Sequence, residues 1–110
     1  MFAEALEAIL AADERLEVAG YASDGAEALR LALKLRPDVI LMDIAMPVMD
    51  GLQATRQIRL QWPGACVLML TGSNSKTDVD RAREAGAAGY VTKERIAAEL
   101  ISAILEIASH

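Results

Sequence analysis

The chain has 110 residues, a net charge of −5 at pH 7, one cysteine and 54% hydrophobic residues. That length admits one domain, 1–110, with apolar material for a single core. The acidic balance, with no cluster of Lys or Arg longer than two, excludes a nucleic-acid surface on this chain. The lone Cys66 precludes an internal disulfide and fits a reducing compartment, and no apolar run approaches the roughly 20 residues that span a bilayer. The start, Met1-Phe-Ala-Glu, lacks the basic stretch of a signal peptide, so a cytoplasmic protein without membrane contact is expected.

Phe2, Leu6, Ile9 and Leu10 mark one face of a first helix over about 2–12. After a turn at 13–15, Leu16-Glu-Val-Ala-Gly-Tyr-Ala22 alternates as a half-exposed edge strand would. Asp24, with Glu27 three residues later, predicts a cap for a second helix carrying Ala28, Leu29, Ala32, Leu33 and Leu35. That helix stops before Arg36-Pro37, because a residue preceding proline resists helical angles. Asp38-Val-Ile-Leu-Met42 is apolar on successive positions and reads as a central parallel strand covered on both faces.

Asp50 then caps a third helix running to about Gln61, with Leu52, Ala54, Ile58 and Leu60 as candidates to face the sheet, and Trp62-Pro-Gly64 breaks it. Ala65-Cys-Val-Leu-Met-Leu70 is a second continuous apolar strand, opening into the polar loop Thr71-Gly-Ser-Asn-Ser75. Ser75 is placed to cap a fourth helix whose Val79, Ala82 and Ala85 give it little to bury. Gly86 ends it, Ala88-Gly-Tyr-Val-Thr92 forms a short strand closed by Lys93, and a last helix over about 94–108 carries Ile96, Leu100, Ile101, Ile104, Leu105 and Ala108 on one face. Alternating strands and helices with short connections predict an α/β, three-layer parallel sheet.

Parallel strands end on one side, so Asp43, Thr71 and Lys93 should converge. A carboxylate, a hydroxyl and an ammonium suit phosphoryl transfer: an acceptor oxygen, a hydrogen-bond donor and a cation. Asp50 is expected to cap a helix, Cys66 and the methionines to fill the interior, Trp62 to be a surface anchor or a turn residue, and His110 to do nothing at the terminus.

With Pro37-Asp-Val-Ile-Leu-Met-Asp43, Met46-Pro-Val-Met-Asp-Gly51, Thr71-Gly72, Gly86-Ala-Ala-Gly-Tyr90 and Thr92-Lys93, the chain resembles the receiver domain of two-component response regulators, most of all receivers of LuxR-type regulators. The resemblance implies a flavodoxin-like fold and a phosphoprotein in signal transduction. By that likeness Asp43 accepts a phosphoryl group from a sensor histidine kinase or phosphotransfer protein, and Thr71 and Lys93 bind its oxygens. Tyr90 would be a switch residue, Gly72 would leave space beside the phosphoryl group, and signalling would run through the family's fourth helix, fifth strand and fifth helix. Such a domain is not an enzyme beyond self-catalysed phosphorylation and dephosphorylation.

The family's first, central strand ends in two acidic residues that hold Mg²⁺ with the acceptor Asp and a backbone carbonyl, here Ala45. No such strand precedes the first helix in this sequence, so the metal site of Asp43 and Ala45 is expected to be incomplete. In the family's strand order, 2-1-3-4-5, that strand separates 16–22 from 38–42. Three outcomes follow: the flanking strands close on each other, another copy completes the sheet, or the sequence omits residues of the natural protein. The alternative function is thus a truncated or degenerate receiver, a non-phosphorylated module that self-associates, as a homodimer through sheet completion, or binds a partner.

Overall fold

A computed structural model describes residues 2–45, 48–72 and 76–108. Its helices are α1 (Phe2–Ala11), α2 (Gly25–Leu35), α3 (Gly51–Gln61), α4 (Lys76–Ala85) and α5 (Ile96–Ala108), and its strands β1 (Ile40–Asp43), β2 (Val67–Thr71) and β3 (Gly89–Thr92). The strands form a parallel sheet in the order β1-β2-β3 among the described residues.

Two apolar layers sandwich the sheet, because successive strand residues leave opposite faces. Met42, Val67 and Met69 meet Ala32 of α2, Leu52, Ala54 and Ile58 of α3, and Ala82 and Ala85 of α4. Leu68, Leu70 and Val91 meet Leu10 of α1 and Ile96, Leu100 and Ile104 of α5. The expected helix caps are present: the Glu27 amide donates to Asp24 Oδ1 at 2.9 Å and the Gln53 amide to Asp50 Oδ1 at 2.8 Å. Each bond satisfies an amide that the first turn of a helix leaves unpaired. Arg36, the C-cap of α2, adopts φ 45° and sets its guanidinium 5.2 Å from the centre of the Trp62 ring, and Trp62 lies in the turn after α3, its carbonyl accepting from the Ala65 amide at 3.0 Å.

Several expectations are corrected. Residues 16–22 form no strand, and they do not close on β1; only Leu16 joins the α1–α5 layer, while Val18 and Tyr21 stay exposed. Alternation shows which side chains could face a core, but a strand also needs a neighbouring backbone to bond with. β1 accordingly lies at the edge of the described sheet and β2 in its centre. Leu60 is 74% exposed: it stands two residues from the buried Ile58, about 200° around the helix, so both cannot face the sheet. Cys66 is half-buried and precedes β2, accepting from the Ile40 amide at 2.9 Å through its carbonyl. Ala108 is exposed on the last turn. Met46, Pro47, the loop 73–75 with its Ser75 cap, and His110 lie outside the described residues.

Candidate functional site

Register and turn geometry build the site. Asp43 is the last residue of β1 and pairs with Leu70, so Thr71 stands one step further along β2. β3 ends level with it, Thr92 opposite Thr71. Lys93 follows immediately, opening a 3₁₀ turn (Lys93–Arg95) instead of closing the strand. Its Nζ lies 3.0 Å from Asp43 Oδ2, with the two side chains 32% and 23% exposed. The other carboxylate oxygen, Oδ1, accepts from the Ala45 amide at 3.0 Å. An ion pair open to solvent to this degree adds little stability. It holds a carboxylate and an ammonium together where a ligand can reach them.

The loop after Asp43 is tied back onto the strand. The Ile44 amide donates to the Leu70 carbonyl at 3.2 Å, and the Gly51 amide donates to the Ile44 carbonyl at 3.0 Å. α3 therefore begins directly against the end of β1. A Cβ on Gly51 would lie 2.2 Å from the Asp43 carbonyl oxygen, so only glycine permits this approach. Nearby, Val48 adopts φ 68° and is 86% exposed, an uncommon backbone state for a β-branched residue.

Thr71 is fully buried, whereas Gly72 is exposed, with nothing within 4 Å of where a Cβ would stand. Tyr90 is partly exposed on the same face of β3 as Thr92. Sequence reasoning placed Asp43 and Lys93 in one site, and the structure brings them together; Thr71 ends the neighbouring strand, and Tyr90 stands three residues before Lys93. It assigned no role to Thr92, whose only sequence signal is a hydroxyl beside Lys93 at the end of an apolar strand.

A metal fits these residues poorly. Asp43 has one oxygen on an amide and the other on Lys93, and among the described residues no group of three or more His, Cys, Asp or Glu side chains could hold a metal ion. Mg²⁺ usually needs one or two carboxylates in a near-octahedral oxygen shell.

Residues 1–105 match the family described as response regulator receiver domain. The chain belongs to this family. It is 46% identical over 99 residues to the transcriptional regulatory protein LiaR of Bacillus subtilis, covering 90% of this chain and 47% of LiaR. Against the response regulator GacA of Pseudomonas aeruginosa it is 40% identical over 99 residues, covering 90% of this chain and 46% of GacA. The chain thus spans about half the length of the curated relatives it matches.

Among solved structures, the signal receiver domain of NarL from Mycobacterium tuberculosis superposes with a TM-score of 0.91 at 34% identity, over 98% of this chain and 87% of that one. The receiver domain of the sensor histidine kinase PA1611 from Pseudomonas aeruginosa, solved with a magnesium ion coordinated in its active-site cleft, gives 0.86 at 33% identity over 98% and 88%. The receiver fold explains the parallel sheet and its two helical layers, and the family is one of phosphorelay signalling. No described helix is long and apolar enough to cross a membrane.

Proposed function

We propose that this receiver accepts a phosphoryl group on Asp43 from a sensor histidine kinase or phosphotransfer protein. The observation that carries the reading is the Lys93 ammonium 3.0 Å from the Asp43 carboxylate at the shared end of the strands. An Asp43 oxygen forms the new bond to phosphorus as the phosphorus–nitrogen bond of a phosphohistidine breaks and the imidazole nitrogen keeps the electron pair. Lys93 offsets charge on the transferred group and the Thr71 hydroxyl donates to one of its oxygens. Water later cleaves the acyl phosphate, releasing inorganic phosphate and the Asp43 carboxylate. This reading assigns the chain no chemistry beyond this self-catalysed cycle.

The output surface in this reading is the face of α4, β3 and α5. A cavity of about 400 Å³ opens there, lined by Ala82, Arg83, Tyr90, Ala103 and Ile107. Small side chains leave room for the Tyr90 ring to change rotamer and reshape the face when Thr71 moves. In this reading the chain acts as one unit, 1–110, in the cytoplasm and does not itself contact nucleic acid.

Treating the chain with acetyl phosphate should yield one acid-stable, base-labile phosphoryl adduct that Asp43→Asn abolishes. No adduct on the wild type, together with a robust adduct once an amino-terminal strand ending in Asp-Asp is added, overturns the reading for this chain.

A second reading rests on β1, which pairs with β2 alone among the described residues. Its outer edge presents backbone donors and acceptors that a second copy could pair, making a non-phosphorylated self-association module. The mass in solution decides it: a strict monomer at high concentration removes sheet completion by another copy.

A further inference from the structure

Thr92 is the polar group that the phosphoacceptor reading leaves unused. The residue is 4% exposed, and Oγ1 is buried with no hydrogen-bond partner. A hydroxyl so placed has given up water and gained nothing in exchange. The local backbone offers a partner that it does not take. Thr92 occupies the N-cap of the 3₁₀ turn in an extended conformation (φ −76°, ψ 146°), yet its side chain makes no capping bond.

Register shows what lies beside it. Thr92 pairs with Thr71, and Tyr90 with Met69. Partners in a parallel ladder project from the same face, and Val67 and Met69 belong to the layer of Ala82 and Ala85, whereas Leu68, Leu70 and Val91 belong to the opposite layer. The two threonines therefore stand side by side under α4, one strand spacing apart, about 4.8 Å between backbones. Side-chain hydroxyls on neighbouring strands at that spacing come within reach of an O–H···O bond through rotamer choice.

We infer that Thr92 is a positioning residue for Thr71: while Thr71 donates to a phosphoryl oxygen on Asp43, the Thr92 hydroxyl donates to Thr71 Oγ1, making a two-bond relay that ends on the phosphoryl group. This rests on the reading of Asp43 and Thr71 given above. A threonine oxygen has two lone pairs as well as its proton, so Thr71 can accept from Thr92 whatever else it contacts. Hydrogen bonds in such a chain polarise and strengthen one another. Thr92 never touches the phosphoryl group. It fixes the direction in which the Thr71 proton points, and its own buried hydroxyl is satisfied only when the site is filled.

Beryllofluoride tests this on the full chain, since it bonds to a carboxylate oxygen and sets three fluorines where phosphoryl oxygens would stand. Binding is followed by ¹⁹F NMR. Thr92→Val keeps the shape and removes the hydroxyl; it should weaken binding about fivefold, the worth of one ordinary hydrogen bond, and shift the fluorine resonance that responds to Thr71→Val. Thr92→Ser should restore both. In a Thr71→Val background Thr92→Val should cause no further loss, and Thr92→Ala serves as a second hydroxyl-free variant if the valine protein does not fold. Wild type that binds while Thr92→Val matches it in affinity and spectrum overturns the inference and leaves the phosphoacceptor reading standing. Equal weakening in the Thr71→Val background, without a fluorine shift, assigns Thr92 a structural role and also overturns it. Wild type that binds no beryllofluoride removes both readings together.

Discussion

Residues 65–70 and residues 16–22 both look like strands by composition, and only the first run becomes one, observed as Val67–Thr71. Val67–Thr71 is bonded on both sides, to β1 and β3, and every residue of it is buried. Residues 17–22 are exposed throughout. The difference is one of neighbours: an apolar alternating segment becomes a strand when an adjacent backbone takes up its donors and acceptors. The site lies at the end of the well-paired region, where register and packing fix where each side chain starts.

The contrast breaks most visibly under side-chain truncation. Ile58, fully buried against β1 and β2, should lose about 2–5 kcal/mol when replaced by Ala. Tyr21→Ala, at a 59% exposed position, should stay within about 0.5 kcal/mol. Urea denaturation of the two variants measures both, and equal losses would place residues 16–22 in the core after all.

Backbone approach sharpens the same comparison at a smaller scale. Gly51→Ala forces a Cβ against the Asp43 carbonyl, 2.2 Å away, and should cost about 1–3 kcal/mol while displacing the loop after β1. Gly20→Ala meets only the flexible Leu35 side chain at 3.1 Å, and its midpoint should barely move. A Gly51→Ala protein with wild-type stability and unchanged Asp43 chemical shifts would contradict the close approach of α3 to β1.

The smallest effect concerns the turn that leads from α1 into residues 16–22. Asp13 Oδ2 accepts from Arg15 Nη2 at 2.7 Å, and Oδ1 accepts from Nε at 3.0 Å and from the Arg15 amide at 2.9 Å. The guanidinium bonds, then the amide, hold the Asp13 pKa down from 3.8 to about 2. A depressed carboxylate pKa stabilises the fold above the unfolded value and ceases to do so as pH falls through the folded one. The contribution should therefore be constant above about pH 5 and disappear between roughly pH 4 and 2. NMR titration of the Asp13 carboxyl carbon checks it: a midpoint near 2 is expected, returning to the ordinary range in Arg15→Met.

How much was legible follows from the same physics. The buried run at 65–70, the caps at Asp24 and Asp50, and the meeting of Asp43 with Lys93 were readable, because periodicity, capping chemistry and strand direction are local or follow from topology. The exposure of Leu60 was readable too, had the helix angle from Ile58 been taken into account. The fate of residues 16–22 was not, since ladder partners are supplied by distant parts of the chain. Lys93 was expected to close a strand and instead starts a 3₁₀ turn, a choice no side-chain pattern marks. Thr92 became informative only through its register with Thr71 and its unpartnered hydroxyl.

The central claim is that Asp43 forms an acyl phosphate. Borohydride reduces an aspartyl phosphate to homoserine, so the phosphodonor-treated chain can be reduced, digested and sequenced by mass spectrometry. Homoserine at position 43, absent from untreated protein and from Asp43→Asn, is the predicted result. Unmodified Asp43 in a folded, treated chain, or homoserine at another aspartate, would contradict the account.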